Sequence, residues 1–320
     1  MEKDPTKHFK EGEIPIENSA IENLNILYDT MTNVRPDLEN FKGNPGFPDW
    51  DIERDQSYVE KLDERFAQKT KDVFADSAEP IICFLLNTGV FSVENNRSFA
   101  FMASKYDDYV NKADIAFGVQ QPNYGRTMFA IDVGTANNRG NLQEKLERHF
   151  EQPIHNLSLP AGFTKLKYCE AWGEKWSENR VLNLVVGVNP GNINKAIKNI
   201  RVDEGENIEI EETNNLEFKI ASELLEESFL YENSDGDHDA KVLMGVMFRK
   251  LHKDLRITEI SEFYVKYEER VNEFMRTDNT YRTIIEFARE KSKIRNTRAQ
   301  ARATGSGTLQ GFNAQRNNGV

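Results

Sequence analysis

The chain has 320 residues, with 53 Asp and Glu against 41 Lys and Arg and a formal net charge of −12. That length accommodates one large domain or two smaller ones, and 38% hydrophobic residues, twenty Phe among them, are enough for a real core. The acidic balance argues against a protein that coats nucleic acid electrostatically, though not against a local basic groove. Cys83 and Cys169 lack CxxC spacing and read as reduced structural residues, which fits a cytoplasmic protein. With no apolar leader and no run of eighteen apolar residues, neither a signal peptide nor a membrane span is expected, and no membrane partner.

Residues 1–50 are polar, with five prolines among Asn, Asp and Glu, and read as an irregular N-terminal segment holding a short helix over 19–30. The Gly-Asn-Pro-Gly-Phe-Pro run at 43–48 marks a boundary. A compact α/β core is expected over 51–202. It opens with an amphipathic helix at 57–74, where Tyr58, Leu62, Phe66, Thr70 and Val73 recur at helical spacing. Short strands are expected at 81–86, 90–93 and 99–103. Ser104 to Asp107 resembles a helix-capping sequence, and Asp107 and Asp108 are better read as cap residues than as site acids.

Strands are then expected over 113–119 and 126–133, with Gln-Pro-Asn-Tyr-Gly as the turn between them. A helix should run through Leu142, Leu146, His149 and Phe150, followed by a strand at 163–169. The run 181–188 is apolar enough for a strand buried on both faces. Val188-Asn-Pro-Gly-Asn192 is expected as an ordinary turn into a helix over 195–200. Residues 203–296 form an acidic linker and a helical region, with apolar stripes over 216–231, 240–251, 257–275 and 281–294. The basic remainder, 297–320, lacks acids and is expected to be disordered.

Folding 113–133 as an antiparallel hairpin about Asn123 pairs Gly118 with Met128, Ala116 with Ala130, and Asp114 with Asp132. Side chains alternate along a strand, so Ile115, Phe117, Val119, Phe129, Ile131 and Val133 share the opposite, buried face. Directly opposed carboxylates repel, which makes sense if a cation lies between them. Ala116, Gly118, Ala130 and Gly134 would leave room for it and for a substrate. A register slip of one residue would send the two acids to different faces and leave them as solvated strand ends.

The order helix, strands ending in Asp114 and Asp132, helix, strand resembles the core of the PD-(D/E)XK nuclease superfamily over roughly residues 57–200. Asp114 matches its first acid and Asp132 its second. The resemblance implies a mixed sheet flanked by helices, and Mg²⁺ or Mn²⁺ held by Asp114, Asp132 and the carbonyl of Val133. It also implies action on DNA or RNA. The family lysine position holds Gly134. The ammonium would have to come from Lys105, Lys112 or Lys145; Lys112, two residues before Asp114, is carried with the two acids as a catalytic candidate. Glu60 and Glu64 on the first helix are further acids within conceivable reach, though a solvated helix face explains them. Without a replacement lysine, the protein would be an impaired descendant that still binds nucleic acid. The alternative is a non-enzymatic acidic scaffold that captures a protein partner through 216–294.

Three other patterns carry less. Residues 233–239 resemble a calcium loop but have Gly236 at the fourth position instead of the sixth. His149 and His155 have no cysteine partner at zinc spacing. No phosphate-binding glycine loop or serine elbow occurs.

Overall fold

The computed structural model describes residues 18–66, 73–88, 97–121, 125–135, 139–151, 159–203, 205, 207–231, 237–251 and 260–303. The first helices are α1 (Asn18–Asn33), α2 (Asp49–Phe66) and α3 (Val73–Asn87). Three strands follow, β1 (Arg97–Met102), β2 (Ile115–Gln121) and β3 (Gly125–Thr135), then α4 (Arg139–Glu151). The long hairpin β4 (Phe163–Ala171) and β5 (Glu174–Val188) leads into α5 (Pro190–Lys198). A short hairpin, β6 (Ile200–Val202) and β7 (Ile208–Ile210), occupies the acidic stretch that was expected as a linker. The C-terminal helices are α6 (Asn214–Ser228), α7 (Asp237–Leu251), α8 (Ile260–Thr277) and α9 (Asn279–Ala303).

The molecule is α/β, built on a mixed five-stranded sheet in the order β1-β2-β3-β5-β4 with helices packed on it and a helical C-terminal region. Neighbours pair antiparallel except β3 and β5, which run parallel across the α4 crossover. Ile115, Phe117, Val119, Phe129, Ile131 and Val133 all enter the main core, as their alternation requires. A second, smaller core forms because the sheet curls until its edges approach. Phe99 of β1 meets Trp172 in the β4–β5 turn at 4.7 Å, and Phe101 meets Trp176 at 6.2 Å. The Arg126 guanidinium lies 3.6 Å from the Trp176 ring centre and closes that core from one side.

Several expectations give way here. Residues 81–86 are helical, not a strand: Ile81 through Leu86 are buried within α3, and a helix buried all round shows no amphipathic period to tell it from a buried strand. The expected strand at 90–93 lies outside the described residues, as do the calcium-like loop at 233–236 and His155. Residues 18–50 are not a separate irregular region, since Ile21, Leu24, Leu27 and Met31 of α1 pack into the main core beside α3; residues 1–17 lie outside the described ones. Nor does the core stop at 202. Leu224, Leu243, Ile284 and Phe287 from α6, α7 and α9 belong to the same cluster, so the apolar stripes of 216–294 are largely used inside the molecule. The helix α9 runs on to Ala303, into the basic tail; residues 304–320 lie outside the described ones. Cys83 and Cys169 are both free and buried. Among the described residues no helix is long and apolar enough to cross a membrane.

Candidate functional site

The hairpin register is the one the alternation requires. Ile115 pairs with Ile131, Ala116 with Ala130 and Gly118 with Met128. Asp114 continues that ladder by one residue and stands opposite Asp132, its N–H donating to the Ile131 carbonyl at 2.9 Å. Its carboxylate oxygen Oδ2 accepts the Val133 N–H at 2.6 Å. Both acids are buried, Asp114 at 8% exposure and Asp132 at 3%.

The cation beside them is Lys145. Its ammonium pairs with Oδ1 of Asp132 and donates to the Val133 carbonyl at 2.7 Å. It reaches there because α4 crosses over the end of β3 with Leu142 and Leu146 in the core, which turns Lys145, three residues after Leu142, toward the strand end. Gly134 permits the approach, as a Cβ there would lie 2.7 Å from Leu142 Cδ1. One turn further, His149 lies 2.5 Å from Oδ2 of Asp132 through Nε2. Lys145 and His149, at i and i+4 on one helix face, therefore take the two oxygens of a single carboxylate. Behind the imidazole, Asn183 of β5 places Nδ2 2.5 Å from Nδ1.

Lys112 has a different partner. It ends the short π-type turn Asp107–Asn111 in a left-handed conformation, φ 58°, and its ammonium donates to the Tyr109 carbonyl at 2.7 Å. Lys105 is exposed and bound to Asp63 at 2.7 Å. Of the three candidate ammonium groups, only Lys145 touches the acid pair.

The carboxyl groups outnumber the cations. Glu79 on α3 and Asp108 on the turn before β2 act electrostatically on the same cluster, with the Arg35 guanidinium 3.8 Å from Asp108. Burial, reinforced by the charge of Asp108, pushes Glu79 up to about 8 against the pull of Arg35 and Lys145. Asp108 rises to about 6, chiefly through burial; Arg35 opposes that rise and the charge of Asp132 adds to it. The central pair splits. Burial, then Glu79 and Asp132, hold Asp114 well above the usual carboxylate range. Burial alone would raise Asp132 too, but the Lys145 charge and the bonds from His149 and Lys145 keep it below that range. Two carboxyls at one site are thus pushed in opposite directions. Lys145 is raised above the ordinary lysine value, because Asp132 and Asp114 outweigh its burial.

Glu60 and Glu64 lie on α2, and Glu60 lines a cleft of about 360 Å³ with Arg35, Asp37, Gln56, Asp63 and Lys105. That cleft carries three acids and two cations, so it is not a basic groove. Glu79 is hard to read from the sequence because the apolar run after it looks like a strand. His149 has no zinc partner in the sequence, but it stands four residues after Lys145. Asn183, a lone amide within Val-Leu-Asn-Leu-Val-Val, was the other signal.

Neither acid caps a helix start as expected: Asp108 joins the acid cluster, and Asp107 ties its turn to β4. Its N–H bonds Ser104 Oγ at 3.1 Å, and its carboxylate accepts the backbone N–H groups of Lys167 and Tyr168 at 2.7 and 3.0 Å. The turn after β5 is ordinary: Asn189 Oδ1 caps the Asn192 N–H at 2.9 Å, and both amides donate to Asp278. The small residues beside the acids do not leave a substrate chamber. Ala116 and Ala130 lie in the second core, the Phe99 ring covers Gly118, and Leu142 covers Gly134.

The donors are of the kind a hard divalent ion takes, being carboxylate and carbonyl oxygens. As they stand, Lys145 and His149 occupy Asp132, and Lys145 also occupies the Val133 carbonyl. Among the described residues, no group of three or more His, Cys, Asp or Glu is gathered closely enough to hold an ion in this arrangement. Comparison with protein-family models, curated proteins and solved structures finds no match to this chain.

Proposed function

We propose that this protein is a Mg²⁺- or Mn²⁺-dependent phosphodiesterase of the PD-(D/E)XK type acting on nucleic acid, with Asp114, Asp132 and Lys145 as its working residues. The observation that supports it best is the Lys145 ammonium on Asp132 and the Val133 carbonyl, opposite Asp114. The lysine missing from the strand is supplied from the next helix. The element order supports the same reading through a helix carrying an acid, three antiparallel strands and α4; a further antiparallel strand, β4, then precedes β5, which runs parallel to β3.

Asp114 and Asp132 would hold the ion, which supplies Lewis acidity and a more acidic bound water. Excess carboxyls suit that role, since a divalent cation would offset the burial and crowding that raise Asp114 and Glu79. Lys145 would orient the attacking water and offset charge building on the phosphate. Arg35, on the far side of Asp108, is placed to meet an anionic substrate. The mixed cleft beside it gives no reason to favour a long duplex over a short or single-stranded segment.

The test is cleavage of structured DNA and RNA with Mn²⁺ by the wild type and by Asp114→Asn and Lys145→Met, with thermal unfolding in parallel. A ligand that binds only the native state raises its midpoint. The expected result is Mn²⁺-dependent cleavage and a Mn²⁺-raised midpoint, with cleavage lost in both variants. A wild type that neither cleaves nor responds to Mn²⁺ would remove this reading.

A further inference from the structure

The cleft of about 360 Å³ between the C-terminal end of α1 and the helix α2 has five charged residues in its lining, and they differ in what already holds them. Asp63 is fully engaged, with Oδ2 accepting from the Lys105 ammonium at 2.7 Å and Oδ1 from the Tyr109 hydroxyl at 2.5 Å. Asp37 accepts the Glu39 N–H through Oδ1 at 3.1 Å and has Oδ2 to spare. Glu60 has no hydrogen-bond or ion-pair partner among the described residues. Arg35 is the anomaly. Its side chain is only 19% accessible, Asp108 stands 3.8 Å away, beyond hydrogen-bond distance, and its buried Nε has no partner among the described residues.

A guanidinium carries five N–H donors in a planar fork that matches the two oxygens of a carboxylate. Left unpaired in a largely buried place, such a donor destabilises the fold, so Arg35 has the character of a receptor for an oxyanion. The neighbouring charges narrow the choice. With Lys105 and Asp63 answering each other, one cation, Arg35, is set against two acids, Asp37 and Glu60. A phosphate or other purely anionic group would be attracted by the first and repelled by the other two. A ligand that brings its own ammonium satisfies all three. The lining also has an apolar part, in which Leu38 and Val59 are buried residues and Pro36 lines the same cleft. It offers an aliphatic group a place out of water. The volume falls within the range of small-molecule sites, roughly 300–1,000 Å³.

We propose that this cleft binds a free α-amino acid with an aliphatic side chain, its carboxylate on the Arg35 guanidinium, its ammonium on Asp37 and Glu60, and its side chain against Leu38 and Val59. The site uses no metal ion and none of Asp114, Asp132 and Lys145, so it goes beyond the phosphodiesterase reading and does not depend on it. The two meet only at Arg35, which takes either the amino acid or an anionic substrate, and not both at once.

The experiment is calorimetric titration and thermal unfolding of the full-length chain in the presence of a metal chelator. The probes are the standard amino acids, adenosine monophosphate, and isocaproate and isoamylamine, which each keep one charged end of leucine. The expected result is binding of leucine, isoleucine or valine that raises the midpoint. Isocaproate and isoamylamine should each bind about 10–100-fold more weakly, the scale for losing a hydrogen bond to a charged group. Arg35→Met should lower the affinity by a similar factor, and Glu60→Gln should act in the same direction. Glu64→Gln, on the same helix but outside the cleft, should bind as the wild type does. Glu60 is exposed, so Glu60→Gln carries the test if Arg35→Met does not fold. A wild type that binds no aliphatic amino acid, or folded Arg35→Met or Glu60→Gln protein that binds it unchanged, overturns the proposal. So does isocaproate or isoamylamine that binds as tightly as leucine, which would leave a site for one charge only, or adenosine monophosphate that binds better than any amino acid. Because cleavage and Mn²⁺ play no part, these outcomes leave the phosphodiesterase reading to its own test.

Discussion

Two clusters of buried charge lie on this sheet, and they serve opposite ends. One is the Asp114–Asp132 site. The other runs along α6, where Lys219, Glu223 and Glu227 face the open edge of β5 beyond the end of β4. There the Val185 and Gly187 N–H groups donate to Glu227 and Glu223 at 2.8 and 3.1 Å, and the Gly187 carbonyl accepts from Lys219 at 2.6 Å. The spacing explains the fit. Four residues of helix rise about 6 Å and two residues of strand about 6.6 Å, so side chains at i, i+4 and i+8 substitute for a missing strand. Glu223 rises to about 7, and burial holds Glu227 well above the usual range, yet these groups are bonded mainly to backbone. At the other cluster, four carboxyls face each other and two cations. Buried charge and an excess of acid are common to both clusters and by themselves say little about function; what differs is that the α6 acids are answered by β5 backbone and the site acids chiefly by side chains.

Substitutions that remove one charge from each cluster should break this comparison in different ways. Lys219→Met strands the buried Glu223 and removes the donor to Gly187, so it should cost about 3–5 kcal/mol of stability, measured by urea unfolding. The effect on Mn²⁺ binding per folded molecule should be nil. Lys145→Met should do the reverse, lowering Mn²⁺-dependent cleavage about 10²–10³-fold, the scale for loss of one electrostatic donor, with a smaller change in stability. Equal stability losses in the two variants would erase the distinction.

A pH series sharpens it. In the folded state Glu79 is pushed up to about 8 from an ordinary 4.5, and Asp108 to about 6 from an ordinary 3.8. The folded state thus holds protons that the unfolded state has released, and stability falls as pH rises through those windows. Without metal, the thermal midpoint should drop between pH 5 and pH 8. Glu79→Gln should flatten the upper part of that drop, near pH 7–8, and Mn²⁺ should flatten it in the wild type. A midpoint that rises over this range would contradict the crowding of acids at the site. The smallest effect belongs to Lys112→Met, which removes the bond to the Tyr109 carbonyl and one of the weaker charges acting on Asp108. It should cost about 0.5–1.5 kcal/mol and leave cleavage at the wild-type level, whereas a large loss would return the catalytic role to Lys112.

The facing of Asp114 and Asp132 followed from the sequence because a strand has a strict two-residue period. Once six apolar residues must share the core face, slips by an odd number of residues are excluded, and the expected turn about Asn123 selects the register among the rest. The same kind of regularity made α4, β5 and the C-terminal helices legible. It failed where periodicity carries no information: α3, apolar on every side, looked like strand, and Glu79 was lost with it. The N-terminal segment looked irregular because its prolines and polar residues outnumber the few apolar side chains with which α1 joins the core. Which lysine meets the acids was beyond any local rule. Lys112 is closer to Asp114 along the chain, but the left-handed turn it ends sends its ammonium to Tyr109, while the α4 crossover brings Lys145 over the end of β3. Sequence alone determined the alternation that opposes two carboxyls. Only the tertiary structure decided which cations answer them, because a helix laid across a sheet joins residues that no period along the chain relates.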